Sequence, residues 1–242
     1  MIKKEIPTMR ISFSQPVFIP WGGFYGRLLN SDLMIILDST LFARGFTFVN
    51  RNRLKAPQGE IWVTVPVRKK GLGRQRTRDL RIFQPENWAR KFLALLKHYY
   101  GHSFYFEQTI GELEKIISSA GENFLDLTQG CARFLADSFR INTGFSLQSE
   151  LGVENRGTDL LVELALRVGA KEVILPYLAD RHLNLDSLSR NGIKVFFLKY
   201  QPVAYPQFWG DFIANLSALD LWLCCGPDGL KNIGKSSRVT VA

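Results

Sequence analysis

The residues best suited to chemistry fall in two early stretches. Gln15, Trp21 and Asp38 lie in the first forty positions, and Asn50, Arg51, Asn52 and Lys55 follow closely. Asp38 closes an apolar run, Leu33-Met34-Ile35-Ile36-Leu37. A carboxylate there is costly to bury unless it is paired. It is the one acid of the group, which makes it the candidate for proton transfer or for holding a nucleophilic hydroxyl or amine. The plainer reading is that it caps the next turn. Arg51 between two amides offers a planar, multi-donor surface for carboxylate or phosphate, and Lys55 a point charge. The plainer reading of Asn50-Arg51-Asn52 is a turn. Tyr205-Pro206-Gln207 has the aromatic and amide character that suits a sugar or planar ring, and is equally suited to packing. We expect Gln15, Trp21, Asp38, Asn50, Arg51 and Lys55 to converge on one cleft.

A second feature is charge. The chain carries 31 Lys and Arg against 22 Asp and Glu, a net charge of +9. The excess favours anionic partners. It concentrates in residues 68–78, where Lys69, Lys70, Arg74 and Arg76 form a candidate anion-binding loop between Arg68 and Arg78. Six like charges predict an exposed loop with weak order in the absence of a counter-anion. A solvated basic face is the bland alternative.

Other chemistries find no motif. There is no Walker A sequence, no GxSxG and no HExxH, and Gly71-Leu72-Gly73 does not extend into a dinucleotide fingerprint. No pattern names a cofactor. Cys131, Cys224 and Cys225 form neither a disulfide framework nor a zinc signature, and no metal site is expected. Ser217-Ala218-Leu219-Asp220 reads as a capping box. No apolar run reaches the ~20 residues of a membrane span. The basic first seven residues have no apolar stretch behind them, which argues against a signal peptide and for the cytoplasm.

These residues must be positioned by an α/β framework. Strands are expected at 9–15, 33–38, 61–67, 173–175 and 193–198, where short apolar runs are bounded by turn residues. Pro20-Trp21-Gly22-Gly23 is a turn signal leading into a short helix at 24–30. Helical spacing predicts helices at 86–100, around 110–117 and at 124–138. Thr158 is the expected cap of a further helix ended by Gly169. Residues 141–156 read as irregular, 200–212 as an aromatic loop and 216–225 as a last helix. The whole is read as one domain over 1–242: a mixed sheet with a helical insertion around 85–140, a core at about 9–228, and a loose tail at 234–242.

The order Gln15-Pro16, Pro20-Trp21-x-Gly23-Phe24, Asp38 and Asn50-Arg51-Asn52 resembles the WbqC-like family of bacterial O-antigen and polysaccharide biosynthesis. Trp62 to Val67, Trp88 with Lys91, Gly169-Ala170, Gly192-Ile193, Tyr205-x-Gln207 and Leu216-Ser217-x-x-Asp220-Leu221 carry the resemblance along the chain. It implies a cytoplasmic transferase acting on an activated sugar, such as a nucleotide sugar, or on another phosphorylated small molecule in lipopolysaccharide synthesis. The chain departs from the family pattern at Leu175-Pro176-Tyr177-Leu178, at Asn184 and at Cys224. Those departures motivate a non-catalytic scaffold as one alternative. The charge motivates nucleic-acid binding as another, although no nucleic-acid-binding motif is visible.

Overall fold

A computed structural model describes residues 8–43, 47–177 and 179–242. The first seven residues and Leu178, on which two of the readings above touch, lie outside the described residues. The chain opens with β1 (Arg10–Ser14), α1 (Gly22–Leu29) and β2 (Leu33–Ile36). A hairpin follows, β3 (Arg51–Ala56) with β4 (Gly59–Thr64), and then three helices, α2 (Pro85–Tyr100), α3 (Phe106–Ala120) and α4 (Phe124–Ser138). The remainder runs β5 (Gly144–Leu147), α5 (Gly157–Arg167), β6 (Glu172–Pro176), α6 (Leu185–Arg190), β7 (Lys194–Tyr200), α7 (Ala218–Cys225), α8 (Gly229–Ser236) and β8 (Ser237–Val241).

Six strands form one sheet in the order β5-β2-β1-β6-β7-β8. All neighbours are parallel except β7 and β8. Parallel strands covered on both faces read as continuous apolar runs, which is what 33–36 and 173–175 show. On one face Ile11, Phe13, Val173 and Val195 pack with Leu160, Leu161 and Leu164 of α5 and Leu188 of α6. On the other, Phe24, Tyr25 and Leu28 of α1 join a larger core that runs through α2–α4 and α7. The fold is thus the expected α/β domain with a mixed sheet, and the helical insertion occupies 85–138.

Several local expectations are corrected. Residues 61–67 do not join the main sheet: β4 pairs only with β3, in a separate two-stranded sheet. Arg51 and Asn52 open β3 instead of lying in a turn, because the chain turns further on, where Ala56 faces Gly59, whose φ is +119°. The stretch 141–156 contains β5, and the expected tail at 234–242 ends α8 and forms β8. Both strands are short and carry polar residues, so neither gives the apolar run of a buried parallel strand. Thr158 lies inside α5, whose cap position is Arg156. Its hydroxyl instead accepts the Asn184 N–H at 2.9 Å.

Candidate functional site

The strand order reverses at β1. The chain leaves β1 toward β2 on one side, then returns through α5 to lay β6 on the other. Crevices open at the carboxyl ends of strands flanking such a reversal, and ligands bind there. A cavity of about 390 Å³ occupies this place. Ser14 and Gln15 reach it from β1, and Leu175 and Pro176 from β6. Phe13, Phe24, Leu37 and Leu161 supply apolar wall. The volume lies in the range of small-molecule sites.

Trp21 forms another wall, and its placement is built locally. A Cβ on Gly23 would meet the Trp21 ring at 2.5 Å, so the ring lies over a position that only glycine leaves open. Tyr200 braces the ring edge-on at 5.2 Å. Ile19 before this turn has φ +39°, an unfavourable region for a β-branched residue. Its carbonyl accepts hydrogen bonds from Asn52 Nδ2 at 2.8 Å and Ser217 Oγ at 2.7 Å. Asn52 and Ser217 therefore clamp the strained turn that presents Trp21.

The residue that sequence reasoning missed is Arg27. It follows Trp21 and Phe24 at three-residue spacing, and all three line the crevice. Arg27 is 6% exposed. Its Nε is shut off from solvent without a hydrogen-bond partner, and no acid pairs with it among the described residues. Burial pulls its pKa down to about 10, which leaves it charged at neutral pH.

The model of the WbqC-like protein family matches residues 15–232. The chain belongs to the WbqC-like family. The uncharacterized protein Rv1507c of Mycobacterium tuberculosis is 26% identical over 227 residues, covering 92% of this chain and 97% of the relative.

In this WbqC-like chain the expected site residues divide among three places. Gln15 and Trp21 line the crevice. Beside it, at the carboxyl ends of β2 and β5, lies a polar recess of about 210 Å³ bordered by Ser39, Thr40, Arg76, Gln148 and Arg156. Gln15 Nε2 donates to Thr40 Oγ1 at 3.2 Å and so joins crevice and recess. Asp38 sits under the recess, fully buried. Its carboxylate accepts the Ser149 N–H at 3.0 Å and the Ser149 hydroxyl at 2.6 Å. With both oxygens occupied, Asp38 ties the end of β2 to the loop after β5. That is closer to the capping alternative than to a base facing a substrate.

Asn50, Arg51 and Asn52 do not line the crevice. Asn50 Nδ2 donates to Val65 O at 2.8 Å, and Arg51 Nε to Thr47 O at 3.0 Å. The Arg51 guanidinium lies 5.3 Å from the Trp62 ring centroid. The amides thus satisfy backbone carbonyls, Asn50 at the base of the hairpin and Asn52 in the turn at Ile19.

Lys55, Tyr205 and Gln207 belong to a third place, with Tyr100 and Asp220. Lys55 is 2% exposed and donates its Nζ to the Asp211 carbonyl. Its backbone N–H donates to the Tyr100 hydroxyl at 2.8 Å. Tyr100 and Tyr205 each donate to the buried Asp220 carboxylate at 2.6 Å. Burial raises the Asp220 pKa above the ordinary carboxylate value, against the opposing effect of the two phenols and Lys55. Gln207 holds the loop by exchanging both amide bonds with Ile213. The capping-box reading survives in half: Ser217 Oγ accepts the Leu219 N–H at 3.1 Å, while Asp220 turns to the tyrosines.

In the basic loop, Lys69, Lys70 and Arg74 are exposed. Lys69 Nζ stands 5.1 Å from the Phe42 ring centroid. Arg76 pairs with Glu154 at 2.8 Å, and Arg68 with Glu122 at 2.5 Å. Part of the positive charge is therefore already answered within the protein. No helix among the described residues is long and apolar enough to cross a membrane, and none of their His, Cys, Asp and Glu side chains group as metal ligands.

Proposed function

We propose that the protein is a transferase that takes an activated sugar, such as a nucleotide sugar, or another phosphorylated small molecule, and serves cell-surface polysaccharide synthesis in the cytoplasm. The observation that carries this reading is the double site at the carboxyl ends of the strands. A crevice at the order reversal continues, through the Gln15–Thr40 bond, into a recess edged by hydroxyls, by Arg156 and by the Arg76–Glu154 pair. The N-terminus of α5 adjoins that recess, and no side chain caps it. Unoccupied N–H groups and the helix dipole suit a phosphate. Two adjoining compartments also suit a reaction that brings a donor and an acceptor together. Family membership supports the polysaccharide setting.

A thermal-shift panel of nucleotide sugars, nucleoside triphosphates and acyl-CoA tests the reading, since a specific ligand stabilises the fold by mass action. We expect a nucleotide sugar to raise the melting temperature, and Thr40→Val with Arg156→Ala to weaken that response. Silence across the phosphorylated panel would overturn the proposal. Tight association with random nucleic acid, falling steeply with salt, would replace it with the binding-protein reading.

A further inference from the structure

We infer that Arg27 holds the carboxylate of a small, singly charged and otherwise apolar acid in the crevice between β1 and β6. The inference takes from the reading above only that the crevice is a ligand site. It assigns the apolar compartment to a carboxylic acid and leaves the phosphorylated substrate to the polar recess.

The first ground is charge. A buried cation without a counter-charge is costly, and proteins pair nearly all of them. Among the described residues Arg27 has no such partner, and its side chain borders an open cavity. A ligand anion would supply what the protein withholds. The second ground is stoichiometry. Arg27 is the one charged side chain lining the crevice among the described residues. A phosphate monoester brings about −1.5 to −2 charges, and a diphosphate also exceeds a single cation. Either would carry uncompensated charge into an apolar cavity. A carboxylate brings one charge and matches the guanidinium fork with two parallel hydrogen bonds.

The third ground is the wall. Phe13, Phe24, Leu161 and Leu175 give the remainder of the ligand apolar surface, with Trp21 at one side. Such walls recognise a hydrocarbon body better than a polyhydroxylated one. The helix fits the same end. Gly22 and Gly26 bring α1 against Tyr200 and Ser237, at positions where a Cβ would collide. The close packing fixes the helix that carries Arg27, so the fork is preorganised.

Calorimetric titration with isovalerate, isovaleramide and isobutyl phosphate tests this on the intact protein. We expect isovalerate to bind and the isosteric amide and the phosphate ester to bind at least roughly tenfold more weakly, as loss of a charge-assisted bond requires. Arg27→Met should remove the preference for the acid. Arg27→Lys keeps the charge but not the fork, and should retain the preference with reduced affinity. Acid and amide binding alike, isovalerate affinity unchanged in both variants, preference for the phosphate ester, or no response to the acid would each overturn the inference. The nucleotide-sugar response is read separately, in the same variants. If it persists in Arg27→Met while acid binding disappears, both readings stand. If it is absent from the wild type while acid binding remains, only the transferase reading fails.

Discussion

Arg27 and Lys55 are both buried cations, 6% and 2% exposed, yet the protein treats them oppositely. Lys55 is enclosed by acceptors: the Asp211 carbonyl takes its ammonium, and Asp220 lies close enough for the two charges to interact. Arg27 is enclosed by apolar wall and an open crevice. The difference separates two uses of a buried charge. One closes a network that fixes the hairpin, α2 and α7 together. The other is left open at the expense of stability, the usual signature of a site that waits for a ligand.

The comparison breaks first at Lys55. Removing one member of a buried charged network strands the other, which costs about 3–5 kcal/mol. Lys55→Met should therefore lower the urea midpoint severely, and a loss below about 1 kcal/mol would mean that Asp220 does not depend on it. Arg27→Met should move the other way. Replacing a buried charge, unpaired among the described residues, by a hydrophobic side chain of similar length should stabilise the ligand-free protein by roughly 1–3 kcal/mol. Equilibrium unfolding checks this, and a loss of stability would show that Arg27 is a structural residue.

A smaller effect is expected in the pH dependence. The Asp220 pKa is raised above 3.8 in the folded state. Between that value and the raised one, the folded protein holds a proton that the unfolded chain has released. Asp220 thus contributes a loss of stability as pH rises through this window. Asp220→Asn should flatten the slope of unfolding free energy against pH there, and an unchanged slope would place the titration elsewhere. The smallest effect belongs to the Arg76–Glu154 pair, whose side chains are 38% and 59% exposed. Arg76→Ala should change stability by about 0–1 kcal/mol, in contrast to either buried cation.

β2, β6 and β7 were legible because burial makes each a run of apolar residues, β1 because its residues alternate, and α2–α4 because their apolar residues recur at helical spacing. β5 and β8 were not, since a short strand with polar residues resembles irregular chain until its partner is known. Of the site, Gln15 and Trp21 were legible from the Pro-Trp-Gly-Gly turn that must follow β1. Arg27 was hidden in Gly22-Gly23-Phe24-Tyr25-Gly26-Arg27, where an arginine reads as the solvent side of a helix. In fact every residue of α1 up to Leu28 is buried. Asp220 was hidden differently. Its local setting already offered a capping explanation, while its partner Tyr100 lies 120 positions away. Asn50 and Asn52 were recognised as important, but their partners are backbone carbonyls, which no side-chain pattern announces.

The seam between β1 and β6 has a kinetic consequence. Arg10 and Glu172, bonded across it, are 162 positions apart in the chain. Pairing so remote must overcome the entropy of closing a long loop, so it tends to form late. The crevice exists only once that seam has closed, and an early folding species has nothing for a ligand to grip. A crevice ligand should therefore leave the refolding rate unchanged and slow unfolding, because its contacts are absent from the transition state. In stopped-flow experiments the unfolding limb alone should drop as ligand is added.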